Sequence, residues 1–194
     1  MTMMGNTLSF DLIVMGTSLG GFAALKAVLS PIPRDFSVPI LVVRHQAADT
    51  DDFVIEALNK ESQLTVKFAE DGERPMPAWV YLAPPDRHLL VNNDHRLKLS
   101  HGGMVNFSRP AIDLLFQSAA RVYKTKVLAV MLTGANKDGA VGVMEVKANG
   151  GKVMIQDPTT AVADAMPKAA LAAVEVDYVI PLSQVGPQLW TLTR

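Results

Sequence analysis

The sequence predicts a doubly wound α/β fold: a mostly parallel sheet with helices on both faces and a small antiparallel edge. Three observations carry this. Apolar, strand-like runs alternate with helix-periodic stretches at both ends of the chain, and Val38 to Val43 is apolar throughout, as a strand covered on both faces must be. Two glycine-bracketed turns, Gly16 to Gly21 and Gly134 to Gly139, each join such a run to a helix. Between them lie four short strand-like segments with no helix among them, which is where the antiparallel edge is expected.

The elements follow in order. Phe10 to Met15 is the first strand, and the helix after its turn carries Phe22, Leu25, Val28 and Leu29 on one face before Pro31 and Pro33 close it. Val38 to Val43 completes a βαβ unit. Asp52 to Leu58 is a short helix, followed by strands at Leu64 to Phe68, Trp79 to Leu82, His88 to Val91 and Arg96 to Leu99, the last two joined by the hairpin-turn residues Asn92-Asn93-Asp94. Ser108 is placed to cap a helix that has Pro110 in its first turn and Ile112, Leu115, Phe116 and Ala119 as its buried stripe. Lys126 to Leu132 is the next strand, and the helix after the second glycine turn ends at Gly150-Gly151. Lys152 to Ile155, a helix starting near Pro167, a strand at Asp177 to Ile180 and a final short helix complete the chain. No repeat, low-complexity tract or interdomain linker interrupts it, so residues 1–194 are expected to form one domain.

Composition excludes several function classes. With 49% hydrophobic and 19% charged residues the chain is of ordinary globular type, not disordered. A formal net charge of -1 gives no global basic field for nucleic acid or anionic membrane. The absence of cysteine removes disulfides, thiolate nucleophiles and cysteine-based metal sites, and fits a reducing compartment. The N-terminus lacks the basic region and small-residue cleavage site of a secretory signal, and no run approaches the ~18 apolar residues of a membrane span. A cytoplasmic protein is expected, with neither nucleic acid nor membrane insertion among its interactions.

In open α/β sheets ligands bind beyond the carboxyl ends of the strands, near the point where strand order reverses. Ser18 follows the first strand, His45 the second, and Asp138 lies in the turn after a later one. If the first strand is flanked by the other two, the three side chains converge. Gly16-Thr17-Ser18-Leu19-Gly20 matches the G-x-S-x-G nucleophile elbow, in which glycines permit the tight turn that exposes the serine hydroxyl. Unpaired N–H groups at the following helix N-terminus can stabilise an oxyanion beside it. A serine hydroxyl is a weak nucleophile at neutral pH, so it needs a base; His45 is the candidate, and Asp138 would orient the imidazole and stabilise its protonated form.

Each residue also has a plainer reading. The Gly-rich turn could bind a phosphate, although Ser18 occupies the middle-glycine position of a dinucleotide fingerprint and the second strand ends Val43-Arg44-His45, without the acidic residue that holds a ribose. An NADP- or nucleotide-binding module, or an inactive adaptor of the same fold, is therefore the alternative. His45 could be an ordinary core or surface histidine, as His88, His95 and His101 are by position, and Asp138 could cap the helix that follows Gly139. The histidines have no metal-ligand spacing.

As a set, Val14-Met15-Gly16-Thr17-Ser18-Leu19-Gly20-Gly21, Val42-Val43-Arg44-His45, Leu132-Thr133-Gly134-Ala135-Asn136-Lys137-Asp138-Gly139-Ala140, and Gln156-Asp157-Pro158 followed by Met166-Pro167 resemble, in that order, the catalytic domain of CheB-type chemotaxis protein-glutamate methylesterases. Ala83-Pro84-Pro85 with His88, and Arg109 to Asp113 leading to Leu115-Phe116, support the likeness, which spans roughly residues 10 to 182. The resemblance implies that Ser18 is the nucleophile, His45 the general acid and base, and Asp138 the orienting carboxylate. It further implies hydrolysis of glutamate γ-methyl esters on the cytoplasmic helices of chemoreceptors, with release of methanol, and possible deamidation of receptor glutamines by the same acyl transfer. No metal or organic cofactor is implied. The chain order serine, histidine, aspartate also separates it from α/β-hydrolases. Leu19 stands where the family commonly has Thr or Ala, Ala135 where it often has a Met whose backbone N–H helps bind the oxyanion, and Ala165 where Gly is usual. Members regulated by phosphorylation carry a receiver domain first; this sequence starts almost at the catalytic strand and resembles the stand-alone members.

Overall fold

The computed structural model describes residues 9–45 and 53–194. Its elements run β1 (Leu12–Thr17), α1 (Gly21–Leu29), β2 (Ile40–Arg44), α2 (Phe53–Glu61), β3 (Thr65–Phe68), β4 (Trp79–Leu82), β5 (His88–Val91), β6 (Leu97–Ser100), α3 (Ile112–Tyr123), β7 (Val127–Met131), α4 (Ala140–Ala148), β8 (Lys152–Gln156), α5 (Ala165–Ala173), β9 (Tyr178–Ile180) and α6 (Leu182–Leu192). The expected start of the second helix at Asp52 lies outside the described residues.

Seven strands form one sheet in the order β3-β4-β2-β1-β7-β8-β9, and every neighbouring pair is parallel. Strand residues alternate between two apolar cores, as period-two geometry requires. Ile13, Met15, Ile40 and Val42 face the core covered by α1, α2 and α6. Leu12, Val14, Leu41 and Val43 face the core covered by α3, α4 and α5. Burial of each such side chain contributes about 1.5–3 kcal/mol, and β1, buried along its whole length, anchors both layers.

Three details differ from the sequence reading. The antiparallel pair β5-β6 is a two-stranded sheet of its own, set on α3 through a Val91 N–H bond to Ser118 Oγ of 3.1 Å, while β3 and β4 join the parallel edge of the main sheet. Ser108 does not cap α3: Arg109-Pro110 is a cis peptide, Ala111 is extended, and the helix starts at Ile112. The helix expected near Pro167 begins at Ala165, with Pro167 in its first turn, where its missing N–H costs nothing.

For the site the decisive feature is that β1 lies between β2 and β7. The chain winds outward from β1 through β2 to one edge, then returns to β7 on the other side. The strand order reverses at β1, and the loops leaving the carboxyl ends of β1, β2 and β7 share one crevice.

Candidate active site

Ser18 sits just beyond β1, where its N–H donates to Thr133 O at 2.9 Å. His45 sits just beyond β2, and its N–H donates to Thr17 O at 3.0 Å. The parallel ladder thus continues one residue past the strands and sets the serine, histidine and β7 loops side by side. Gly20 permits the elbow: its φ of 78° lies in the left-handed region, and a Cβ there would come within 2.7 Å of Val162 Cβ. Thr133 ties the loops together, its hydroxyl donating to Leu19 O at 2.9 Å and accepting from Ala163 N–H at 2.9 Å. Gln156 Oε1 accepts from Thr133 N–H at 2.8 Å, so the Gln156-Asp157-Pro158 segment supports the site from beneath.

Ser18 and His45 line one open cleft of about 550 Å³, with Leu19, Phe22 and Arg44 among the other walls. His45 also borders a second cavity of about 180 Å³ shaped by Asp86, Met104, Phe107 and Arg109. His45 Nε2 is hydrogen-bonded to Asp138 Oδ2 at 2.7 Å. With Nε2 so occupied, Nδ1 is the ring nitrogen left to take a proton. Among the described residues no hydrogen bond reaches the Ser18 hydroxyl, and the N–H groups of Leu19 and Ala135 donate to no backbone acceptor. Loop N–H groups left unspent, together with a free hydroxyl, make a place where a developing oxyanion can be held.

Asp138 is fully buried. Gly139, not Asp138, is the N-cap residue of α4, and it makes no side-chain cap bond. Asp138 caps a different helix: its Oδ2 accepts from Ile112 N–H at 2.6 Å and its Oδ1 from Asp113 N–H at 3.1 Å, in the first turn of α3. Asn106 Nδ2 donates to the same carboxylate at 3.0 Å and to Asp113 Oδ2 at 2.8 Å. Burial alone would push the Asp138 carboxyl up, but the bonds from His45, Ile112, Asn106 and Asp113 outweigh it and hold the group below the ordinary carboxylate range. Asp113, also buried, is pushed the other way by desolvation and by the Asp138 charge, against bonds from Gly142 N–H and Asn106.

These shifts have a pH consequence. A carboxylate with a depressed folded pKa stabilises the fold above its unfolded value, about 3.9, and that stability is lost as pH falls through the lower folded value. Asp177, held down by Lys147, Lys152 and Val153 N–H against its own burial, acts in the same direction, and the two together oppose the raised Asp113, whose contribution has the other sign. The urea midpoint is expected to fall steadily once pH drops below about 4. An Asp138→Ala variant, less stable throughout, should show a shallower acid slope; an identical slope would mean that Asp138 is not held low in the folded state.

His88 is a structural histidine, 1% exposed, accepting from Ala111 N–H at 3.1 Å through Nδ1 and bonded to Gly103 O at 2.9 Å through Nε2. Among the described residues no group of three or more acidic or histidine side chains is placed to hold a metal ion. Three residues around the carboxylate carried no role in the sequence reading: Asn106, Asp113 and Asn136. Asn136 lies in the Leu132 to Ala140 loop motif, and its spacing of two residues from Asp138 is its signal in the sequence.

A family model described as CheB methylesterase matches residues 13–189. A Leptospira interrogans protein, whose name assigns protein-glutamate methylesterase and protein-glutamine glutaminase activities provisionally, is 43% identical over 179 residues, which are 92% of this chain and 93% of that one. A Thermotoga maritima protein named protein-glutamate methylesterase/protein-glutamine glutaminase is 38% identical over 184 residues, covering 93% of this chain and 54% of its own, so this chain spans about half its length. The crystal structure of the Thermotoga maritima CheB methylesterase catalytic domain superposes with a TM-score of 0.90 at 37% identity, covering 95% of this chain and 99% of that one.

Proposed function

The chain belongs to the CheB methylesterase family, and from that premise we propose that it is a protein-glutamate methylesterase in which Ser18 is the nucleophile, His45 the general acid and base, and Asp138 the orienting carboxylate. The observation that supports these roles best is the short His45–Asp138 bond, 2.7 Å, at the edge of the cleft that Ser18 lines. The nucleotide-binding and inactive-adaptor alternatives draw no support from the family or from the relatives.

The chemistry follows from the geometry. As the Ser18 hydroxyl attacks the ester carbonyl, its proton passes to His45 Nδ1, and the negative Asp138 stabilises the imidazolium. Charge collects on the former carbonyl oxygen, and the unspent N–H groups of Leu19 and Ala135 are the candidates to receive it. Collapse returns the proton from Nδ1 to the departing methoxide, releasing methanol and leaving a glutamyl ester on Ser18. Water, deprotonated by the same nitrogen, then frees the glutamate. An amide substrate follows the same path with ammonia leaving, which is how glutaminase activity would arise at one site.

The substrate we assign is a methylated helix of a chemoreceptor cytoplasmic region, reached from the cytoplasm; no described helix is long and apolar enough to cross a membrane. The cleft is open, and Leu19, 58% exposed, stands on its rim, so contacts with a folded partner can supply binding energy that a small ester cannot. Methanol release is expected to be at least about 10²-fold faster from an intact methylated receptor fragment than from a short methyl-glutamyl peptide at equal concentration. An active-site phosphonate should label Ser18. Equal rates on fragment and peptide would place the substrate elsewhere, and absence of both labelling and methanol would sink the esterase reading.

A further inference from the structure

Asn136 occupies the ring nitrogen that the mechanism needs. Its orientation is not arbitrary. The Asp138 backbone N–H can only donate, so the end of the Asn136 amide that meets it at 3.0 Å is the oxygen, Oδ1. The other end of the same planar group, Nδ2, then faces His45 Nδ1 at 3.2 Å. An amide nitrogen only donates, so Nδ1 presents a lone pair and the ring proton resides on Nε2, from which it goes to Asp138 Oδ2 at 2.7 Å. The bonds close a loop with one consistent direction: Asp138 N–H to Asn136, Asn136 to His45, His45 to the Asp138 carboxylate. Reversing the amide would set its nitrogen against the Asp138 N–H. Moving the ring proton to Nδ1 would set two donors together at Asn136 and two acceptors together at Asp138.

We propose that Asn136 is a positioning residue that locks His45 in the Nε2–H tautomer and covers its Nδ1 lone pair until the Ser18 hydroxyl takes its place. The inference rests on the proposed base role of His45, and it accounts for the resting geometry, in which Nδ1 is bonded to Asn136 and the Ser18 hydroxyl to nothing among the described residues. Substrate binding must bring the serine hydroxyl to a nitrogen already occupied, and the exchange of one neutral donor for another is close to balanced. The amide can give way at low cost because its oxygen stays anchored on Asp138 N–H. Among the described residues, the charged groups near the ring are Asp138 on the Nε2 side with Asp113 behind it, Asp86 and Arg109 around the second cavity, and Arg44 beside it in the chain. Asn136 is bonded to Nδ1 itself, so its removal acts directly at that atom.

The test combines ¹⁵N spectroscopy of the His45 ring with kcat and KM of the full chain at neutral pH. In the unsubstituted protein the Nδ1 resonance should be that of an unprotonated nitrogen and Nε2 that of a protonated one. Asn136→Ala should mix the two tautomers and lower kcat by roughly 3- to 10-fold at neutral pH, with KM little changed because the Asn136 amide is spent on His45 and the Asp138 N–H. Asn136→Asp, nearly the same shape, should draw the proton onto Nδ1 and lower kcat by roughly 10²- to 10⁴-fold at neutral pH, the range seen when a triad histidine is held in the wrong tautomer. Ring resonances and kcat unchanged in both variants would overturn the proposal, even if both were less stable. The ring spectrum is read without substrate, so a failed tautomer lock and a failed esterase assignment give different results.

Discussion

Ser18→Ala is expected to lower kcat for methanol release by about 10⁶-fold while moving the unfolding midpoint hardly at all. The two halves of that expectation have separate causes. The hydroxyl is half-buried at the cleft and is bonded to nothing among the described residues, so its removal leaves no buried partner unsatisfied and stability should change by less than about 0.5 kcal/mol. Turnover, by contrast, loses the only atom on the elbow that can form the glutamyl ester. His45→Ala should cost about as much, and the double variant should cost no more than either alone, because a base without a nucleophile has no proton to take. Rates measured on the methylated receptor fragment, with unfolding curves for all three variants, settle the point. Losses that multiply in the double variant would mean that the two side chains act independently, and a Ser18→Ala enzyme with a normal rate would remove the nucleophile from the mechanism.

The convergence behind that prediction was legible before the structure because it depends on local signals. Gly16, Gly20 and the apolar run before Ser18 define an elbow, and placing His45 and Asp138 at strand ends needs only the alternation of strands and helices. The order β2-β1-β7 then does the rest. What remained hidden depends on contacts remote in sequence. Ser108 has the right residue type for a cap, yet the extended Ala111 and the cis Arg109-Pro110 bond delay the helix to Ile112, and the orphan N–H groups are met by a carboxylate about twenty-five residues further along. No local pattern reports that. β3 and β4 read as antiparallel because the ten residues between them contain no helix, but their loop carries the chain back across the sheet edge and the pairing is parallel. Asn106 is concealed for another reason: a lone asparagine at φ 51° is indistinguishable in sequence from an ordinary turn residue, and only the fold reveals two carboxylates beside it.

Asp138→Asn should damage the protein twice, by up to about 10⁴-fold in kcat and by about 1–3 kcal/mol in stability. The carboxylate meets four donors, His45 Nε2 and Ile112 N–H at Oδ2, Asn106 Nδ2 and Asp113 N–H at Oδ1. An amide has one oxygen, so in either orientation its nitrogen confronts two donors. With the oxygen toward His45, the ring keeps its tautomer but the imidazolium formed during attack loses its counter-charge, while the buried Asp113 N–H loses its acceptor and Asn106 keeps only Asp113 Oδ2. With the nitrogen toward His45, the ring proton is driven to Nδ1, where Asn136 opposes it and the base is lost. Neither arrangement spares both functions, because one carboxylate caps α3 and orients the base. Were its role confined to capping α3, the substitution would lower the urea midpoint and leave kcat nearly intact; were it confined to orienting His45, kcat would fall with the midpoint unchanged. The proposed double role predicts that both fall together, and in Asp138→Ala, which leaves all four donors without this acceptor, the midpoint should fall at least as far.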